Sequence, residues 1–341
     1  MNNKEDVVPT TFNRREFLKR VAFASTICGG ATYLAWAPED YPFSLKDFTG
    51  ARSIPEPQQF TLPDYRVKVP TGLPEIGIGR DMTTSGRLTK ALDAIGGLTH
   101  FVQPGDVVLL KPNVAFDRSP ELGATTSPEL IEILIRRLLI DCRAGEVRVA
   151  DNPIESPADC FAKTGIKEAT EKAGGRVLLP DGNAFRTLQT PGAELIKSWP
   201  CFYRPLIGVT KVIGVAPVKD HNLSGASMGI KNWYGLLGGQ RNQFHQDIHT
   251  IIADLSIMIK PTLTILDGSR ILMRNGPTGG DPAYVKPWDV IVAGTDQVAM
   301  DAWAFVNLLQ RDESKLPHYL YLAEKKGGGK IDATNRILEV S

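Results

Sequence analysis

From about residue 85 onward, short continuous apolar runs alternate with amphipathic stretches, and this alternation limits the fold more than any other feature of the chain. Asp106-Val107-Val108-Leu109-Leu110 is one such run; Glu146 to Ala150, Arg176 to Leu179, Lys211 to Ala216, Leu263 to Leu266 and Val290 to Ala293 are the others. Runs this short, without strict period-2 polarity, suit strands buried on both faces. Helical periodicity falls at Leu88 to Ile95, Pro128 to Asp141, Asp159 to Ala173, Asp247 to Ile259, Val298 to Gln310 and Leu316 to Lys325. The pattern predicts an α/β fold with a largely parallel sheet flanked by helices on both faces.

Three segments are expected. Residues 85–341 form a single α/β domain. Residues 38–84 read as a linker, because Pro38, Pro42, Pro55, Pro57, Pro63, Pro70 and Pro74 interrupt any helix. Residues 1–37 read as an export signal or anchor. There Asn13-Arg14-Arg15-Glu16-Phe17-Leu18-Lys19 resembles the twin-arginine motif, with Asn where Ser or Thr is commoner, and an apolar run from Val21 to Ala37 follows it. Ala35-Trp36-Ala37 fits a cleavage site but Pro38 disfavours cleavage, which leaves both a soluble and a tethered form open. The partner implied is the twin-arginine translocation machinery. The expected location is the periplasm, with the inner membrane engaged only through the N-terminal segment.

Without residues 1–37 the chain carries 34 basic against 35 acidic side chains, so no basic surface for nucleic acid is indicated. The folded-cargo export route favours a cofactor inserted before export. Outside the signal the cysteines are Cys142, Cys160 and Cys201, with no C-x-x-C, too few for a self-contained iron-sulfur cluster. One disulfide plus a free thiol is compatible with an oxidising compartment.

In open α/β sheets the site lies beyond the carboxyl ends of the strands. There the chain places Lys111-Pro112-Asn113, then Thr125-Thr126-Ser127-Pro128-Glu129 at a helix start, and the dense run Pro217-Val218-Lys219-Asp220-His221-Asn222 through Ser224 to Asn232. Lys111, Asn113, Thr126 and Asn232 are candidate ligands for a small anionic substrate, and His221, Lys219 and Lys231 are candidate catalytic groups. No glycine pattern matches a nucleotide fingerprint. His245 and His249, four apart in a helix expected over Phe244 to Ile259, share one helical face. With His221 and Asp267 they form a candidate divalent-metal set, although no H-E-x-x-H motif is present. Asn275-Gly276-Pro277-Thr278-Gly279-Gly280 reads as a loop over the site or a plain turn.

Lys111-Pro112-Asn113, Thr126 to Leu130, Pro217 to His221, Ile230-Lys231-Asn232 to Gly235, His249, Asp267, Gly276 to Gly279 and Gly294 to Asp301 occur in an order that resembles the domain of unknown function 362 family, over about residues 105 to 305. Some members of that family carry a ferredoxin-like cysteine segment, which this chain lacks. More distantly, the architecture is similar to the nickel-pincer lactate racemase superfamily, although none of that family's motifs is placed residue by residue.

Three functions follow from these readings. The first is an exported enzyme with a Lys/His-lined, metal-dependent or metal-free site for a small anion. The second is a non-catalytic periplasmic ligand- or cofactor-binding protein, and the third a thiol-redox role for the three cysteines.

Overall fold

The computed structural model describes residues 59–341 together with Arg15, Leu18 and Lys19. The rest of the proposed export signal and of segment 38–58 lies outside the described residues. The chain divides into two units, Met1–Gln58 and Gln59–Ser341, and the fold set out below is that of the second.

Thirteen strands are described: β1 (Gln59–Phe60), β2 (Ile76–Arg80), β3 (Val107–Lys111), β4 (Glu146–Ala150), β5 (Arg176–Leu178), β6 (Phe185–Gln189), β7 (Ser198–Phe202), β8 (Lys211–His221), β9 (Gly225–Ser227), β10 (Leu263–Leu272), β11 (Val285–Pro287), β12 (Val290–Gly294) and β13 (Ile337–Val340). The helices that matter here are α1 (Thr84–Asp93), α2 (Pro128–Ile140), α3 (Pro157–Lys163), α4 (Ile166–Lys172), α5 (Gly229–Asn232), α6 (Ile248–Met258), α7 (Gln297–Asn307) and α8 (His318–Lys325). One helix was expected over Asp159 to Ala173. It breaks into α3 and α4 because Gly165 takes a left-handed φ of 73°, a conformation that costs glycine little.

The main sheet has ten strands, in the order β13-β2-β12-β10-β8-β3-β4-β5, with β9 paired to β8 and β11 to β10. From β10 through β8, β3 and β4 to β5 every pairing is parallel, whereas β12 runs antiparallel to both β10 and β2. The sheet is mixed, which corrects the largely parallel arrangement read from the sequence. The cause is the connection between β10 and β12. It contains β11 and a 3-10 turn but no crossover helix, and a parallel pairing needs such a crossover. β2 falls inside the segment read as linker, yet it lies between β12 and β13 with Ile76 and Ile78 fully buried. The domain therefore starts earlier than residue 85.

Side-chain alternation divides β3 between two cores. Val108 and Leu110 join α1 and α2 residues such as Leu88, Leu92, Ile131 and Leu134, while Leu109 joins Trp233, Ile252, Leu255 and Leu320 of the opposite layer. A third cluster packs β2, β10 and β12 against α7. Helices thus cover both faces. The carboxyl ends of β3 and β4 lie side by side next to β8, which runs on past them to His221.

Candidate functional site

At those ends a cavity of about 60 Å³ is lined by Lys111, Asn113, Phe116, Asp151, Lys219, His221, Lys231, Asn232, Tyr234, Arg241 and His245, among others. That volume holds a few waters or one small anion, at ~10–15 Å³ per water. Larger grooves, of about 760 and 590 Å³, run along the segment before β2 but gather no such cluster. The composition of the cavity is unusual: three lysines and an arginine face a single carboxylate, Asp151.

Lys111 and Asp151 are each 1% exposed and meet at 2.7 Å. Asp151 also accepts the Val114 and Asn152 N–H groups at 2.7 and 3.0 Å, and Lys111 also donates to Pro112 O and to Asn232 Oδ1, both at 2.8 Å. Burial pushes the Lys111 amine down, and the adjoining Asp151 carboxylate opposes that. Gly235 makes the contact feasible, since a Cβ there would stand 1.8 Å from Asp151 Oδ1 and 2.6 Å from Lys111 Nζ. This explains a glycine three residues after Asn232. Asn232 is spent on the framework: its Nδ2 donates to Lys111 O at 3.0 Å while its Oδ1 takes the lysine.

Lys219 and His221 lie two apart on β8 and so share a face. Lys219 is 1% exposed and, among the described residues, has no carboxylate partner; its Nζ donates to Ala124 O at 2.5 Å and Asn113 Oδ1 at 3.3 Å, and stands 5.2 Å from the Phe116 ring centre. Burial, reinforced by the charges of Lys231 and Lys111, holds this amine well below the ordinary lysine range. Burial likewise lowers Lys231 to about 8, with help from Arg241 and Lys111. Arg241 directs its guanidinium to four main-chain carbonyls, those of Tyr234, Leu237, Asn152 and Pro153. It therefore adds positive charge to the cavity wall, and among the described residues no carboxylate forms an ion pair with it.

His221 is fixed as a hydrogen-bond donor. Its Nδ1 accepts the N–H groups of Leu223 and Ser224 at 3.2 and 3.3 Å, so the neutral ring carries its proton on Nε2. Burial and then the two lysine charges push its pKa to about 2. His245 has the other tautomer, because its Nδ1 faces the Asn242 carbonyl at 3.0 Å and must donate, leaving Nε2 as an acceptor.

The candidate metal set is not brought together. Asp247 accepts from Thr250 N and starts α6 there, so His245 falls in a separate 3-10 segment, Arg241–Asp247, and shares no helical face with His249. His249 instead packs against α8, with ring centres 5.9 Å from His318 and 6.3 Å from Tyr319. Asp267 is consumed at the start of α2, where it accepts Ser127 N at 2.9 Å, and Ser269 N at 3.0 Å. His221 has no lone pair to offer at Nε2 while Nδ1 is an acceptor. Among the described residues no three His, Cys, Asp or Glu side chains are grouped to hold a metal ion, and the donor set does not fit one.

Thr126, expected at the ligand, is a framework residue: its Oγ1 accepts Asn113 N and donates to Val215 O, both at 2.8 Å. Cys142, Cys160 and Cys201 are buried and unpaired, with burial raising their thiols to about 11, 11 and 12. Among the described cysteines this leaves no disulfide, which was one possibility, and no low-pKa thiol as a basis for thiol chemistry. The sequence reading missed Asp151, Tyr234 and Arg241. Asp151 follows β4 directly and the strand-end rule would have found it; Tyr234 and Arg241 carry no sequence signal of their own.

Among known proteins the chain is 27% identical over 247 residues to a thylakoid-associated protein of Synechocystis sp., covering 67% of this chain and 71% of that one. Of solved structures, the lactate racemase apoprotein of Thermoanaerobacterium thermosaccharolyticum aligns with a TM-score of 0.40 at 12% identity, over 73% of this chain and 60% of that one. A Thermotoga maritima protein aligns with a TM-score of 0.37 at 13% identity, over 66% and 56%. The family described as domain of unknown function (DUF362) matches residues 108–305, more than half of the sequence, and the chain belongs to that family.

Proposed function

We propose that the cavity binds a small oxyanion and that the protein is an enzyme that moves a proton on it without a metal. The observation that supports this is the charge imbalance: Lys111 is paired with Asp151, whereas among the described residues Lys219, Lys231 and Arg241 meet no carboxylate. A bound carboxylate or phosphate supplies the missing negative charge. Beside it stand a donor, His221 Nε2–H, and an acceptor, His245 Nε2, the two halves of an acid–base pair.

Oxalate, a dianion with no exchangeable carbon acid, tests binding alone. Millimolar oxalate is expected to raise the melting temperature of the protein, and Lys231→Met to abolish most of that rise. Pyruvate tests turnover: deuterium should enter its methyl group faster with the protein than with His245→Ala. Stabilisation without exchange makes this a binding protein only, and absence of any stabilisation overturns the reading.

Export is proposed on the sequence Asn13 to Lys19 and the apolar run behind it. The location would be the periplasm, soluble or held at the inner membrane by an uncleaved segment. A folded reporter carrying residues 1–45 should reach the periplasm, and Arg14→Lys with Arg15→Lys should retain it in the cytoplasm; equal export of both would contradict the proposal. Among the described residues no helix is long and apolar enough to cross a membrane.

A further inference from the structure

Three buried amines border one small cavity, and their surroundings assign them different tasks. Lys111 is held by a carboxylate and two carbonyl-type oxygens, a fully occupied ammonium. Lys231 lies 5.4 Å from the Tyr234 ring centre, in contact with a π-face and near Arg241. Among the described residues Lys219 meets two neutral acceptors, Ala124 O and Asn113 Oδ1, and the Phe116 ring. An uncharged amine has two hydrogens, and these two acceptors take both. The position that remains on Nζ is its lone pair. A buried amine that meets two neutral acceptors, with one position left open and other cations beside it, is the arrangement that turns a lysine into a nucleophile towards carbonyl carbon.

We infer that Lys219 forms a covalent imine with a small 2-oxo acid, whose carboxylate is held by the cationic wall of the same cavity. This rests on the oxyanion reading above and names the substrate class. The Lys219 lone pair attacks the ketone carbon, and the carbonyl π-electrons move to oxygen, where His221 Nε2–H stabilises the developing negative charge by hydrogen bonding. One proton passes from the attacking nitrogen to that oxygen, giving a neutral carbinolamine. The Lys231 ammonium then protonates the hydroxyl, which leaves as water while the nitrogen lone pair forms the C=N bond. The products are a protonated imine on Lys219, a neutral Lys231 amine and one water, with no oxidant or reductant required. The cavity suits an acid of this size: about 60 Å³ admits the carboxylate and ketone and little more.

Pyruvate and sodium cyanoborohydride, added to the full chain, provide the test. The borohydride reduces an imine to a stable secondary amine that peptide mass spectrometry locates. The expected result is a single dominant adduct on the peptide carrying Lys219, suppressed at least tenfold by excess oxalate. Surface lysines should be labelled weakly and without regard to oxalate. An adduct confined to other lysines, or one at Lys219 that oxalate leaves unchanged, overturns the inference. If oxalate raises the melting temperature but pyruvate is not trapped, the imine is wrong and the oxyanion site stands. If neither occurs, both fail together. The measurement uses the unaltered protein, so it does not depend on any variant folding.

Discussion

The two ends of the cavity are built from the same residue type in opposite ways. At the β3–β4 end, Lys111 is buried against Asp151, with Gly235 leaving room for their contact and Asn232 binding Lys111 to the framework. At the β8 end, Lys219 is equally buried but faces a carbonyl, an amide oxygen and a ring. The first arrangement is closed electrostatically and holds the strand ends in place. The second is open, and the Lys231 and Arg241 side chains beside it supply the positive charge that an anionic ligand would meet. Burial alone does not distinguish a structural lysine from a reactive one; the charge of its nearest partners does.

The sharpest way to break this comparison is to remove each amine in turn. Lys111→Met leaves Asp151 buried and unpaired, and should cost about 3–5 kcal/mol in urea unfolding. Gly235→Ala should approach that loss by forcing the pair apart. Lys219→Met removes an uncompensated amine and leaves two acceptors short of a donor, so its cost should be smaller, about 1–3 kcal/mol, while imine trapping is lost. Equal stability losses at the two lysines would show that the ends are alike.

A titration sharpens it further. Lys231 has a folded pKa of about 8 against an ordinary 10.5, so the unfolded chain binds more protons between those values. Stability should therefore rise as pH increases from about 8 to 10.5, and Lys231→Met should flatten that rise. A pH effect of opposite sign is expected at Asp301. This fully buried carboxyl accepts Gly229 N and Ile230 N at 2.8 and 3.0 Å and so holds α5, which carries Lys231. Burial raises its pKa from 3.8 to about 7, which means that stability should fall as pH rises through that window. Asp301→Asn should remove the dependence in pH-dependent unfolding, while its Nδ2, unable to accept the second backbone N–H, costs about 1–3 kcal/mol.

Strand and helix positions were largely legible because buried parallel strands leave an unmistakable pattern of apolar runs. The mixed topology was not, since direction depends on a connection: the crossover after β10 lacks a helix, and β2 hides between Pro70 and Pro74 and the start of α1. The site residues on strand ends, Lys111, Lys219 and His221, were legible from the same strand pattern. The metal reading failed on a cap. Asp247 restarts the helix between His245 and His249, and such a local side-chain contact is invisible to periodicity. Several residues in the family's motif order turn out to build the frame: Asp267 takes Ser127 N, Thr126 bridges β8, and Asp301 holds α5. Arg241 and Tyr234 reach the cavity from a 3-10 region whose fold no short pattern announces.

Proton uptake on ligand binding tests the central claim most directly. An anion entering a cavity of uncompensated amines raises their pKa values, so binding must take protons from solution. Calorimetric titration of oxalate at pH 8, in buffers of differing ionisation enthalpy, reads that uptake. The account predicts saturable binding with net proton uptake that shrinks in Lys231→Met. Binding with no uptake, or with proton release, would contradict it.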